Sequence, residues 1–360
     1  MSETELASLT ESPYQQWIVD EGVPLHKGFA IDLRDVEVSS WARFGAAGAV
    51  INVAGRGDWL DLWLLELSPG GSSIPQHHLF EAVVYVISGH GSTTIESANG
   101  KHSFEWGPRS AFALPLNCHY QFFNSSGSES ARLALTTSFP LTMNLYHDDR
   151  FIFSADYEFS SRFNEGGDFD GTGYETPRPG RTSGIWMTNF VPDLGGFDKM
   201  QASAFRGASN KTTVMGMADG VLHEHMSEIA TGGYKKAHRH PGGTHIYPVT
   251  GEGYSLLWFD GEKERTRVDW QHGFVYSPPD NMYHQHFNVS TIPARYFAVK
   301  FGSYRYPMTE RMAKYRAFNN SAGKMEDTQG IQIEYDREDP SIKALYLAEL
   351  EQRGLEYHGQ

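Results

Sequence analysis

AHRHPGGTHIYPVTGEG, residues 237–253, and HGFVYSPPDNMYHQHFN, residues 272–288, hold His238, His240, His245, His284 and His286. Side chains of an extended chain alternate between two faces, so His238 and His240 share a face, as do His284 and His286. His245 falls on the next pairing segment. A lone strand histidine is ordinarily a packed or surface residue. Five at these spacings, set among glycines and prolines that mark turns, form an ordered group able to converge inside a small barrel. Neutral imidazole suits iron, manganese, zinc, nickel or copper, so a metal centre is expected here.

The rest of the chain reads as strands. AVINVAG and DLWLLELSPGG are followed by IPQHHLFEAVVYVISGHGSTTIES, KHSFEWGPRSAFALPLNCHYQFFN and ARLALTTSF, short runs separated by turn residues, which favour a sandwich or barrel. VVYVISGHG, ending at Gly91, matches HIYPVTGEG, ending at Gly253. LPLNCHYQFFN, ending at Asn124, matches PPDNMYHQHFN, ending at Asn288. The two offsets, 162 and 164 residues, agree within two, which indicates an internal duplication. Shifting back by them puts Gln76, His78, Val83 and Tyr120 at the places of His238, His240, His245 and His284. That earlier copy lacks a ligand set and is expected to be structural, with His77 and His119 on the opposite face.

These motifs resemble those of the cupin superfamily, in which H-x-H, an acidic residue and a later histidine hold a metal inside a jelly-roll barrel. The first motif is matched by Gly232, His238, His240, His245 and Gly253, and the second by Gly273, Pro279, Asn281, His284 and Asn288. His245 stands where the family usually carries Glu, and Asn281 where it carries Gly, a change that Asn tolerates at positive φ. The resemblance implies an all-β protein of two cupin barrels with short flanking helices. Its expected parts are an N-terminal arm (1–40), a barrel with a degenerate site (41–140), a connector (141–200), a metal-binding barrel (201–305) and a helical extension (306–360). It also implies one divalent metal per chain on His238, His240, His245 and His284. His286 and Tyr247 are the expected proton-handling residues, with Trp258 and Phe287 as walls.

Four imidazoles without a carboxylate would leave the metal's charge uncompensated and so favour an anionic enol, phenol or oxo acid. Bicupin gentisate and salicylate dioxygenases are similar in length and duplication, although their main site is in the N-terminal copy. The expected activity is therefore an Fe(II) dioxygenase, an oxidoreductase that cleaves a C–C bond with O2. The alternatives are a redox-neutral Mn, Zn or Ni lyase, isomerase, decarboxylase or hydrolase, and a non-catalytic binder of a small molecule.

Composition narrows the partners. The 360 residues carry 44 acidic and 30 basic side chains, a formal charge of −14, which disfavours phosphate backbones and anionic membranes. Cys118 is the single cysteine and excludes an intramolecular disulfide. MSETELASLTESPYQQW has neither a basic start nor an apolar run, so a cytoplasmic location is expected. Further assembly into a homo-oligomer stays open. Ser12 and Pro13 predict a short helix to about Asp20, Met308, Met312 and Tyr315 a helix in PMTERMAKY, and DPSIKALYLAELEQRG a last helix. HEHMSE, residues 223–228, is assigned a surface or strand-partner role. Arg239 is expected in a surface salt bridge.

Overall fold

The computed structural model describes residues 12–358 apart from 98–99, 163–168, 179–182, 208, 311–312 and 314–330. Met312 and Tyr315, and with them most of the helix expected around PMTERMAKY, lie outside the described residues.

Gly91 and Gly253 show how the duplicated sequence makes the same structure twice. A Cβ on Gly91 would stand 2.0 Å from Phe123 O and 2.4 Å from the Trp106 ring, and one on Gly253 would stand 2.1 Å from Phe287 O and 2.4 Å from Trp270. Only glycine lets the strand lie against that indole. Asn124 Nδ2 donates to the carbonyls of Leu67, Ser68 and Glu129, and Asn288 Nδ2 donates to those of Ile229, Ala230 and Ile292. One amide thus pins three carbonyls of the neighbouring turns in each copy.

Around these anchors each copy folds as a large sheet packed on a three-stranded one. In the first copy an eight-stranded sheet runs Leu25–Gly28, Ala46–Val53, Asp61–Leu67, Ala131–Thr137, Ala82–Ser88, Ala111–Leu114 and Phe190–Val191, with Ser39–Trp41 on the side of Ala46–Val53. His119–Asn124, Gly91–Ser97 and Gly100–Trp106 form its small sheet. In the second, nine strands include Tyr174–Thr176, Ile185–Met187, Lys211–Gly216, Leu222–Ile229, Ala294–Phe301, Thr244–Thr250, Phe274–Tyr276 and Ala30–Asp32. Thr266–Gln271, Glu252–Trp258 and Tyr283–Asn288 form the small sheet there. The fold is two copies of a two-sheet, jelly-roll barrel with short flanking helices.

Two segments cross between the copies. Ala30–Asp32 of the N-terminal arm pairs with Phe274–Tyr276 of the second sheet, while Phe190–Val191 pairs with Ala111–Leu114 of the first. The connector, which shows no period in sequence, therefore contains strands. They are two or three residues long and complete the edges of existing sheets, too short to leave a pattern.

The first barrel is filled. Helix Pro13–Glu21, capped by the Ser12 side chain, inserts Tyr14, Trp17 and Ile18, and Trp17 stacks on Trp63 with centroids 5.5 Å apart. His78 stacks on Phe80 at 3.7 Å and its Nε2 lies 3.1 Å from Tyr120 Oη, while Gln76 Nε2 donates to Arg43 O. His78 and Tyr120 thus belong to an aromatic core, while Val83 packs between the large sheets. His77 and His119 meet each other on the other face, 4.5 Å between rings.

Between the two large sheets lies a second core. Ile51, Leu62, Leu64, Val83 and Tyr85 from one meet Met226, Tyr247, Val249, Phe297 and Val299 from the other. Burial on this scale makes the two copies one folding unit.

Candidate metal centre

His238 and His284 exchange backbone hydrogen bonds, 3.1 Å from His238 N to His284 O and 2.9 Å from His284 N to His238 O. Antiparallel partners present their side chains to the same face, and the two rings lie 4.2 Å apart between centroids. His240 follows two residues on. Asn281, with φ of 58°, turns the chain so that its N–H donates to His240 O, and the His240 ring comes to 4.8 Å from that of His284.

The ring nitrogens of His238, His240 and His284 all lie within 4.8 Å of one another, forming a divalent-metal-binding cluster of three imidazoles. Their orientation is set from behind. Nδ1 of His238 is held by Lys236 O at 3.1 Å, Nδ1 of His240 by Pro241 O at 2.8 Å and Nδ1 of His284 by Met282 O at 3.1 Å. A carbonyl fixes the proton on Nδ1 and leaves the Nε2 lone pair for the centre of the barrel, the tautomer a metal ligand needs. Burial holds His238 and His240 well below the usual imidazole range and pushes His284 down to about 3, so all three are neutral at pH 7. The donor set fits a first-row divalent cation.

The fourth expected ligand is elsewhere. Thr244 pairs with Lys300 and His245 with Val299, so it is Thr244 that shares the inward face with Lys300, whose Nζ lies 3.1 Å from His240 Nε2. His245 points the other way, its Nδ1 2.9 Å from Thr136 Oγ1 of the first copy. Tyr247 follows by parity, its Oη 2.6 Å from the same Thr136 hydroxyl. Both belong to the core between the sheets, so His245 is not brought to the cluster and Tyr247 is not in reach of it. Because three residues rather than four separate His240 from the inward position, Thr244 takes the place expected for the fourth ligand. Its Oγ1 is buried and has no hydrogen-bond partner among the described residues.

His286 is brought in. Its ring stands 5.4 Å from that of His284 and 6.2 Å from that of His238. Trp270 Nε1 donates to Ser255 Oγ at 3.0 Å, and Ser255 Oγ lies 2.7 Å from His286 Nδ1, with Tyr276 Oη at 3.3 Å. The hydroxyls of Ser255 and Tyr276 thus hold the His286 ring by its Nδ1 side. Lys235, fully buried, holds Tyr296 Oη at 2.8 Å, and the Tyr296 ring lies 5.3 Å from His286.

HEHMSE also has more than a surface role. His223 pairs with Lys300 and His225 with Ala298, which places both on the inward face of the large sheet. The H-x-H spacing carried this signal, and what concealed it was the lack of any cue that its strand adjoins the one bearing Lys300. Trp258 and Phe287, expected as walls, face outward instead and pack with Ile342, Tyr346 and Leu350 of the C-terminal helix. Arg239 does pair at the surface with Asp260, at 3.3 Å.

No family model matches the sequence, and no curated protein does. Among solved structures, one concerned with the Mn(II) centres of Bacillus subtilis oxalate decarboxylase is similar at a TM-score of 0.47 and 16% identity, over 76% of this chain and 77% of that one. Another, on the substrate binding mode and reaction specificity of oxalate decarboxylase, has a TM-score of 0.46 at 16% identity over the same shares. The expectation of an Fe(II) dioxygenase, and with it of an oxidoreductase, is corrected. Its premise was a four-imidazole shell, and the turn of His245 into the inter-sheet core, against Thr136, removes it. No helix among the described residues is long and apolar enough to cross a membrane.

Proposed function

We propose that the second barrel is the active site of a metal-dependent, redox-neutral enzyme, a lyase, isomerase, decarboxylase or hydrolase acting on a small organic anion. The observation that carries this reading is the convergence of three neutral imidazoles with Lys300 at their side. His238, His240 and His284 would hold the divalent cation, which when bound supplies a Lewis acid that polarises an oxygen of the substrate.

The chain's own residues supply the remainder. Lys300 sets a cation beside the cluster, and Lys235 and Arg206 act on its histidines as further positive charge, so an anion is favoured over a neutral ligand. His286, held at Nδ1 by the Ser255 and Tyr276 hydroxyls and beside the imidazole cluster, is the proposed proton carrier. Thr244 leaves a small hydroxyl where the related barrels have a carboxylate, which keeps the centre cationic and leaves room for a chelating ligand. The filled first barrel serves as support.

The test is turnover of a panel of hydroxy, oxo and dicarboxylic acids by protein loaded separately with Mn, Zn, Ni and Fe, in air and without oxygen. Product by mass spectrometry and oxygen uptake are read together. The expected result is equal product in both atmospheres with no oxygen consumed. Product that appears only with oxygen uptake, or acids that bind without turnover, would overturn the reading.

A further inference from the structure

Beside Lys300, one strand over from the imidazole cluster, His223 opens onto a cavity that the reaction reading does not use. The register of the large sheet aligns Thr244, Lys300 and His223 across neighbouring strands on the inward face. His223 lines a cavity of about 480 Å³ whose walls include Ile185, Met187 and Val214, together with Arg178, Tyr304 and the Asp219–Arg305 ion pair. Ile185 pairs with Val214, Val214 with His225, and His225 with Ala298, so the apolar wall lies on the same face as the cluster. The Tyr304 ring is 4.8 Å from that of His223, and the Arg178 guanidinium lies 3.8 Å from the Tyr304 ring centre and also donates to its hydroxyl. Arg178 is nine-tenths buried.

We infer that this cavity is the substrate chamber of the metal site, and that it takes an elongated acid with an apolar middle and a second anionic group at its far end. The inference rests on the proposed anion chemistry at the cluster and adds the substrate's length and second pole. One strand spacing separates Lys300 from His223, and the Tyr304 and Arg178 contacts follow, so a ligand touching both ends is on the order of 10 Å long. Ile185, Met187 and Val214 offer its middle an apolar surface. A guanidinium fixed on an aromatic ring is preorganised for a carboxylate, since little of its rotamer freedom remains to be lost. Arg178 and Ile185 come from the connector, so that segment selects the substrate for a centre built by the barrel.

Calorimetric titration of metal-loaded protein with unbranched dicarboxylates of two to ten carbons, and with monocarboxylates of equal length, tests this. Long diacids are expected to bind at least tenfold tighter than both oxalate and the matching monoacids. Arg178→Met is expected to abolish that preference while leaving the short acids and the metal content unchanged, and Ile185→Trp to exclude the long acids alone. Affinity independent of length in the unmodified protein, or an Arg178→Met variant that weakens short and long acids alike, overturns the chamber while leaving the anion reading intact. No binding of any acid at full metal content overturns both.

Discussion

His245 and Thr244 differ by one position along a strand, and that position decides which of them belongs to the metal centre. The strand begins at Thr244, its pairing with Lys300 fixes the inward parity, and every following residue alternates from there. His238→Ala is therefore expected to lose most of the bound metal with little change in melting temperature. His245→Ala is expected to keep one metal per chain and lose about 2–4 kcal/mol of stability, because it empties a fully buried site and strips Thr136 of a partner. Metal content by mass spectrometry beside urea denaturation checks the pair. Acid has a related effect. Burial pushes His245 and His78 down to about 3 from the ordinary 6.5, so below pH 6.5 the unfolded chain binds more protons than the folded one. Stability should fall as pH drops from 6.5 toward 3, and His245→Gln should reduce the slope of urea midpoint against pH.

The elements show why some local readings held and others did not. Helix Pro340–Gln352 starts where Asp339 and Pro340 predict, with Asp339 accepting from Ser341 N, and helix Pro13–Glu21 starts at Ser12 in the same way. Caps are written within a few residues, so sequence exposes them. The destination of the last helix is not local. It lies on the outside of the small sheet, where Tyr346 Oη stands 2.9 Å from Gly233 O and 2.6 Å from Asn288 O, and the ring meets Phe287 at 5.3 Å. Phe287 adjoins His286, so this packing backs the strand that carries His284. Tyr346→Ala should cost about 3–5 kcal/mol and weaken metal retention, whereas Leu347→Ala, on the exposed side, should do neither. Thermal melts with and without added metal separate the two effects.

On the scale of the whole molecule the two copies share a core and trade strands. A protease nick within the 141–200 connector is expected to leave the halves together on a sizing column, since Ala30–Asp32 and Phe190–Val191 still tie them and the inter-sheet core persists. Release of two soluble halves would contradict this. The same interface holds Glu224, fully buried, and desolvation together with the nearby Glu81 charge pushes its pKa up to about 8 from 4.5. Glu81 itself is bound by Arg162 and the N–H groups of Val221 and Leu222. Because the folded state keeps the Glu224 proton longer, its contribution is complete below pH 4.5 and lost as pH rises through 8. Glu224→Gln should melt higher than the parent at pH 8 by more than at pH 5, and a constant difference would count against the assignment.

What was legible from the residues alone was the repeat, the barrel class, and three of the histidines that the second copy gathers. Each is carried by spacing within a short segment, where alternation and turn residues act directly. The place of His245 and Tyr247, the inward turn of His223 and Lys300, and the part played by the connector depend on which strands become neighbours and in what register. Register is set by burial against partners more than a hundred residues away, Thr136 against His245 and Glu81 against Leu222 among them. A one-residue change of parity, invisible in the motif, moves an imidazole from the metal to the interface.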